Sequence, residues 1–218
     1  MFQPLLRRRG PSTMPGTGLY AITDGPRGDL VEAARAALLG GASVLQYRDK
    51  TFDGARRLHE ALALAQLCAE FESPLIVNDD VELALASGAA GVHLGEDDPG
   101  IAAARARLGP DAIVGVSCYD SLQRARDAAG AGADYLAFGA FFPSPTKPHA
   151  HRATPELLRE AKAFGLPVVA IGGITPDNGG PLIEAGADFL AAISAVFGAT
   201  DIRAAAQDFT TLFQTHDP

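Results

Sequence analysis

From Gly18 onward the chain alternates short apolar runs with longer stretches in which apolar residues recur every three or four positions. The runs cover residues 19–23, 43–47, 75–78, 91–94, 113–117, 135–139, 168–171 and 189–193. Most are apolar almost without interruption. That is the pattern of parallel strands covered on both faces, not of half-exposed strands. The stretches between them, such as 30–39 and 55–71, are rich in Ala, Leu, Glu and Arg and read as helices. Eight strand–helix units within about 195 residues predict an α/β chain folded as a single (βα)8 TIM barrel over residues 18–218. An open doubly wound sheet is the competitor. It has fewer strands and begins on a glycine-rich phosphate turn, which Thr23-Asp24-Gly25-Pro26 does not supply.

A weak internal repeat supports the barrel. Gly41-Ala42-Ser43, Gly88-Ala89-Ala90, Gly132-Ala133-Asp134 and Gly186-Ala187-Asp188 each precede an even-numbered strand. Small residues there let a helix turn back tightly under the sheet, and the recurrence every two units suits stacked quarter-barrels. These positions read as structural. Residues 1–17 differ from the rest. Arg7-Arg8-Arg9 is followed by no apolar stretch of the kind a secretory signal needs. Pro11 and Pro15 read as loop, so the segment is expected to be a disordered tail, with Met14 an alternative start.

Charge and cysteine content narrow the function. Eighteen Lys and Arg against 26 Asp and Glu give a net charge of −8. That balance argues against a nucleic-acid partner. No apolar run is long enough to span a membrane. Two cysteines are no disulfide framework, which points to a reducing, cytoplasmic setting. Against this acidic background the run Gln46-Tyr47-Arg48-Asp49-Lys50 stands out. In extended chain Gln46, Arg48 and Lys50 share one face. A buried face does not tolerate two unpaired cations, so that face is wet, salt-bridged or holding an anion.

Active sites of such barrels lie at the C-terminal strand ends. Those ends carry Gln46, Arg48 and Lys50 after strand 2, and Asn78 and Asp79 after strand 3. Strand 4 contributes His93 and then Gly95-Glu96-Asp97-Asp98, and strand 5 contributes Ser117. Strand 6 is followed by Phe142-Pro143-Ser144-Pro145-Thr146-Lys147, strand 7 by Gly172-Gly173, and strand 8 by Ile193-Ser194. Cations with neutral donors suit a diphosphate. Asp79 and Asp98 are oxygen ligands of the kind magnesium takes together with substrate phosphates and water. Zinc or iron would call for more His or Cys. The paired glycines after strand 7 occupy the usual phosphate position of a barrel. Taken singly, each residue has an ordinary use. Arg48 and Lys50 suit a salt-bridge ring with Asp24 or Asp49. Asp79 suits an N-cap of a helix over 81–86. His93 suits a core histidine bonded to backbone, Ser117 a strand-end serine, and Thr146 and Lys147 a surface loop. Their joint placement at predicted strand ends favours a site.

These motifs resemble the thiamine-phosphate synthase family. The resemblance runs from about residue 18 to residue 213, on Gln46-x-Arg48-x-Lys50, Asn78-Asp79, His93-Leu94-Gly95-x-x-Asp98, Gly115-Val116-Ser117, Phe142-Pro143-Ser144-x-Thr146-Lys147, Gly172-Gly173-Ile174 and Ile193-Ser194-Ala195. It implies a TIM-barrel transferase joining a hydroxymethylpyrimidine diphosphate to a thiazole phosphate, with one Mg2+ per subunit on Asp79 and Asp98. The pyrimidine diphosphate would be held by Gln46, Tyr47, Arg48, Asp49, Lys50, Asn78, His93, Ser117 and Lys147. The thiazole phosphate would be held by Ser144, Pro145, Thr146, Gly173, Ile193 and Ser194. Catalytic roles would fall to Arg48, Lys50, Lys147 and Ser117. The implied reaction passes through an ionised pyrimidine carbocation captured by the thiazole nitrogen. The chain departs from the family at Glu96 (commonly Gln), Ser144 (commonly Thr) and Tyr119 (often His). Two other readings remain: a thiazole tautomerase-like isomerase of the same barrel family, and a non-catalytic sensor of thiamine precursors. The implied partners are small molecules, with a homo-oligomer left open.

Overall fold

The structure, a computed structural model, describes residues 13–98, 100–143 and 152–216. Every predicted apolar run becomes a strand: β1 (Gly18–Ile22), β2 (Ala42–Tyr47), β3 (Leu75–Asn78), β4 (Gly91–Leu94), β5 (Ile113–Tyr119), β6 (Tyr135–Phe138), β7 (Val168–Ile171) and β8 (Phe189–Ala192). All neighbouring pairs are parallel, and β1 closes on β8 with Gly18 opposite Phe189, so the sheet is a closed barrel and not an open one. Helices alternate with the strands: α1 (Leu30–Leu39), α2 (Gly54–Glu70), α3 (Val81–Ser87), α4 (Ile101–Leu108), α5 (Leu122–Gly130), α6 (Pro155–Ala161), α7 (Pro176–Glu184), the short α8 (Ser194–Phe197) and α9 (Ile202–His216). The 43–47 run extends one residue toward the N-terminus, and β5 runs past Ser117 to Tyr119. There the pairing with β6 shifts register, and Tyr119 takes a left-handed backbone with φ 54°. An aromatic residue holds that conformation only where its surroundings impose it.

Strand alternation sorts the core into two layers. Tyr20, Ile22, Val44, Ile76, Ile113, Tyr135, Val169 and Phe189 fill the barrel interior. Leu19, Ala21, Leu45, Tyr47 and Leu190 point outward to the helices. The helices answer with one apolar stripe each. In α1 the buried residues are Leu30, Ala33, Ala34, Ala37 and Leu38, the spacing of a single helix face. Met14, read from sequence as tail, packs against the interior cluster.

The four repeated glycines sit where the turn needs them. Gly41, Gly88, Gly132 and Gly186 have φ of 95°, 69°, 88° and 104°, a region open to glycine at little cost. The repeat also carries anchors that composition alone does not reveal. Asp134 Oδ2 accepts the Val114 N–H at 2.6 Å and pairs with Arg105. Asp188 Oδ2 accepts the Val168 N–H at 2.7 Å and pairs with Lys162. Each acid therefore brackets the start of the preceding odd-numbered strand, at the end of the barrel away from the strand C-termini. Asp134→Ala would strip the buried Val114 N–H of its acceptor, at a cost of about 1–3 kcal/mol. The expected result is a lower thermal midpoint with unchanged turnover per folded molecule. A changed turnover in kinetic assays of that variant would contradict this placement.

Candidate active site

The C-terminal strand ends enclose a basin of about 710 Å3 lined by residues of every strand. Its floor is a chain of hydrogen bonds through the top of the interior core. Gln46 Nε2 donates to the Tyr20 hydroxyl at 2.9 Å. The Tyr20 and Tyr135 hydroxyls lie 2.7 Å apart, and His93 Nδ1 lies 2.8 Å from Tyr135. His93 Nε2 lies 2.9 Å from Ser117 Oγ. Burial pushes both phenols well above their usual pKa, so both stay protonated. Since the Gln46 amide nitrogen only donates, one assignment uses every buried hydrogen. Tyr20 donates to Tyr135, Tyr135 donates to His93 Nδ1, and His93 donates from Nε2 to Ser117. The Ser117 hydroxyl proton is then turned toward the basin. His93 stacks on Tyr135 with ring centroids 5.6 Å apart. A Cβ on Gly115 would lie 1.8 Å from Tyr135 Cζ, so the bare glycine is what admits the phenol.

One rim of the basin is charged. Gln46, Arg48 and Lys50 all face it, as strand alternation requires. The backbone of Arg48 is tied to buried Thr23, whose hydroxyl accepts the Arg48 N–H at 2.8 Å and donates to its carbonyl at 3.2 Å. Among the described residues the Arg48 side chain has no acidic partner. Lys50 pairs with Asp79, and Asp79 in turn hydrogen-bonds Asp98. Asp98 Oδ2 also accepts the Gly95 N–H at 2.6 Å. The two carboxyls are pushed in opposite directions. Loss of solvent raises Asp98, and the neighbouring Asp79 charge adds to it. Loss of solvent acts on Asp79 too, but the bonds from Lys50 and Asp98 outweigh it and hold Asp79 below the usual range. Two carboxylates in contact cannot both stay charged without a proton or a cation between them. Among the described residues no group of three His, Cys, Asp or Glu converges on a point. The donor set is thus oxygen-only and short of ligands, which fits magnesium completed by phosphate and water better than zinc.

The opposite rim is neutral. Gly172 and Gly173 leave β7 with φ of 107° and 64°, and with Ile193 and Ser194 they line that wall. Asn178 holds the turn, with Nδ2 donating to the Gly173 carbonyl at 3.1 Å and Oδ1 accepting the Thr175 N–H at 2.9 Å. Ile22, Ala137, Val169, Ile171 and Ala191 give the space between the rims an apolar lining.

The sequence-predicted residues divide cleanly. Gln46, Arg48, Lys50, Asn78, Asp79, His93, Asp98, Ser117, Gly173, Ile193 and Ser194 converge on the basin. Tyr47 and Asp49 do not. The Tyr47 side chain points to the helical layer, where its hydroxyl donates to Glu60 at 2.6 Å, and the fully buried Asp49 carboxylate pairs with Arg56 at 2.7 Å. The same strand alternation that turns their neighbours inward turns these two outward. Ser144, Pro145, Thr146 and Lys147 lie outside the described residues. The ordinary readings also resolve. Asp80, not Asp79, caps α3, accepting the Leu83 N–H at 2.9 Å. Asp24 pairs with Arg27. His93 bonds side chains of the floor instead of backbone alone. Tyr20 and Tyr135 were missed. Their signal was a phenol set inside an apolar interior strand, where a buried hydroxyl demands a partner.

Comparison with known proteins adds the family. The model describing thiamine monophosphate synthase matches residues 19–196. The chain belongs to this family. Thiamine-phosphate synthase of Methylobacillus flagellatus is 55% identical over 204 residues, covering 93% of this chain and 98% of that protein. Thiamine-phosphate synthase of Thiobacillus denitrificans is 55% identical over 206 residues, 92% of this chain and 96% of that protein. Among solved structures, thiamine phosphate pyrophosphorylase from Pyrococcus furiosus superposes with a TM-score of 0.83 at 37% identity, over 93% of this chain and 98% of that one. Membership makes the chain a transferase of thiamine biosynthesis and does not favour the isomerase or sensor readings. Among the described residues no helix is long and apolar enough to cross a membrane. Cys68 and Cys118 are both buried and unpaired.

Proposed function

We propose that the basin joins 4-amino-2-methyl-5-hydroxymethylpyrimidine diphosphate to 4-methyl-5-(2-phosphoethyl)thiazole, in its carboxylated form or without the carboxylate, releasing pyrophosphate and thiamine phosphate and, from the carboxylated form, CO2. The observation that carries this reading is the charged rim, where two inward cations stand beside two neighbouring carboxyls at the mouth of a basin with a polar floor and apolar walls. An isomerase acting on a thiazole phosphate alone has no use for that rim.

The residues divide the work. The pyrimidine lies on the polar floor, within reach of Gln46 and the Ser117 hydroxyl. Its diphosphate reaches Arg48, Lys50 and Asn78, with Lys147 added by the family resemblance. Asp79 and Asp98 would hold magnesium, which would supply charge neutralisation for the departing pyrophosphate. The C–O bond to the diphosphate breaks with both electrons leaving on oxygen, and the thiazole nitrogen lone pair forms the new C–N bond. Arg48 and Lys50 are placed where negative charge grows, the interaction that counts most toward rate. The apolar lining excludes water, which would otherwise capture the pyrimidine carbon. The thiazole phosphate takes the neutral rim at Gly173, Ile193 and Ser194, with Ser144, Pro145 and Thr146 assigned to it by resemblance. A cytoplasmic setting suits such small-molecule chemistry.

The direct test mixes purified protein, both substrates and Mg2+ and follows thiamine phosphate and pyrophosphate by chromatography. Formation of both products in equal amounts is expected, and their absence would refute the reading. The neutral rim has its own test. A Cβ on Gly173 would lie 2.6 Å from the Pro143 carbonyl oxygen, on a backbone already left-handed. Gly173→Ala should push the Phe142–Pro143 segment away and raise KM for the thiazole phosphate about tenfold, ~1.4 kcal/mol of binding. KM for the pyrimidine diphosphate should barely move. Equal shifts for both substrates, each titrated against saturating levels of the other, would show one shared anion pocket.

A further inference from the structure

We propose that Arg124 is a positioning residue that locks the Gly95–Asp98 turn to the end of β5 and thereby sets the affinity of the cation site. The inference rests on the reading of Asp79 and Asp98 as metal ligands. Arg124 is the third residue of α5, and its N–H is accepted by the capping Ser121 hydroxyl at 3.2 Å. A cation in the first turn of a helix opposes the helix dipole, so helix stability does not explain it. Its guanidinium instead folds back toward the strand ends. Nε donates to the Ser117 carbonyl at 2.6 Å and Nη2 donates to the Gly95 carbonyl at 3.0 Å. The group also lies over the Tyr119 ring, 5.5 Å from its centroid.

Both contacts lead to the site in one further step. Gly95 is held at both of its peptide bonds, by Arg124 at its carbonyl and by Asp98 Oδ2 at its N–H. Ser117, whose carbonyl Arg124 holds, carries the hydroxyl that meets His93. A rigid planar fork can grip a carbonyl of β5 and one of the turn after β4 at once, which a single ammonium cannot. The left-handed backbone at Tyr119 belongs to the same device, since it accompanies the ring that lies beneath the guanidinium. Groups hydrogen-bonded directly to metal ligands commonly change metal affinity by about 10- to 100-fold, and Arg124 acts one bond further out, through Gly95.

The test measures binding instead of turnover. Mn2+ replaces Mg2+, inorganic pyrophosphate is present, and free Mn2+ is read by electron paramagnetic resonance. Wild-type protein, Arg124→Met, Arg124→Lys, Asp98→Asn and Arg105→Met are compared, each with its thermal midpoint. Arg105 is the control because it also clamps carbonyls, those of Pro110, Ala112 and Gly132, but at the far end of the barrel. Arg124→Met should weaken Mn2+ binding about tenfold or more. Arg124→Lys keeps the charge, reaches one carbonyl only, and should recover part of the loss. Arg105→Met should lower the midpoint while leaving Mn2+ affinity within about twofold of wild type. Wild-type affinity in both Arg124 variants would overturn the proposal, as would an equal loss in Arg105→Met, which would mark general loosening. Wild-type affinity in Asp98→Asn would instead remove the metal assignment itself, and this inference with it.

Discussion

Asp98→Asn is expected to lose most turnover while the barrel melts at nearly its original temperature. Asn fills the same space and can still accept the Gly95 N–H that Asp98 Oδ2 takes at 2.6 Å, so the turn keeps its shape. What disappears is one of the two neighbouring carboxyls that compete for charge at the basin mouth. Without a cation that pair repels itself, and removing one member relieves the repulsion, so the midpoint should hold or rise slightly. On the proposed assignment, a magnesium ion held by this pair would stabilise charge on the departing pyrophosphate by several kcal/mol, so a fall of about 10²- to 10³-fold in kcat is expected. The loss should be largest at limiting Mg2+ and only partly recovered at high Mg2+. Steady-state rates across a Mg2+ titration, with a thermal melt of the same preparation, check both halves. A near-normal rate at limiting Mg2+ would remove Asp98 from the metal site.

The second large effect concerns shape. Gly115→Val should leave little folded protein. A Cβ there would lie 1.8 Å from Tyr135 Cζ and 2.3 Å from its hydroxyl, and both residues are buried in the closed sheet. Tyr135 cannot step aside freely, because its hydroxyl is bonded to Tyr20 on one side and His93 on the other. Overpacking alone costs about 1–3 kcal/mol, and each buried polar group left unpaired adds about 1–3 kcal/mol. Together these approach the whole stability of an ordinary domain. Coupling identifies the cause. Tyr135→Leu removes the obstructing ring, so Gly115→Ala should cost far less in that background than in the wild type, as a double-mutant cycle in urea would record. Additive costs would show that the glycine is needed for some reason other than the phenol.

Much of this was legible in the sequence because a parallel barrel writes itself plainly. Its strands are apolar on both faces, so runs such as 75–78 and 168–171 need no help from alternation, and the observed strands carry the same bounds. The site was legible where charge interrupted those runs. Arg48, Lys50, Asp79 and Asp98 are conspicuous because their charges cluster just past the ends of apolar strands. Period two was underused. It separates Gln46, Arg48 and Lys50 from Tyr47 and Asp49, and the latter pair serve Glu60 and Arg56 in the outer layer. Long-range pairing was not legible. Tyr20 meets Tyr135 across 115 residues, and nothing local to either says so. The β5 extension to Tyr119 depends on a left-handed residue that no propensity scale favours for an aromatic. The cap of α3 falls on Asp80 because Asp79 is itself left-handed and paired with Lys50.

The acid brackets at the barrel's foot have an evolutionary consequence. Near its start β5 has Val114 held by Asp134, and near its end it sets Ser117 in the basin. β7 begins with Val168 held by Asp188 and ends at the Gly172-Gly173 turn. One strand thus carries an anchor and a tool, at opposite tips. Substitutions at the foot reach fitness through how much folded protein a cell keeps. Substitutions at the mouth reach it through how fast each molecule works. Selection can therefore adjust abundance and rate in the same strand nearly independently, and drift in one is screened from the other by the packed interior between them.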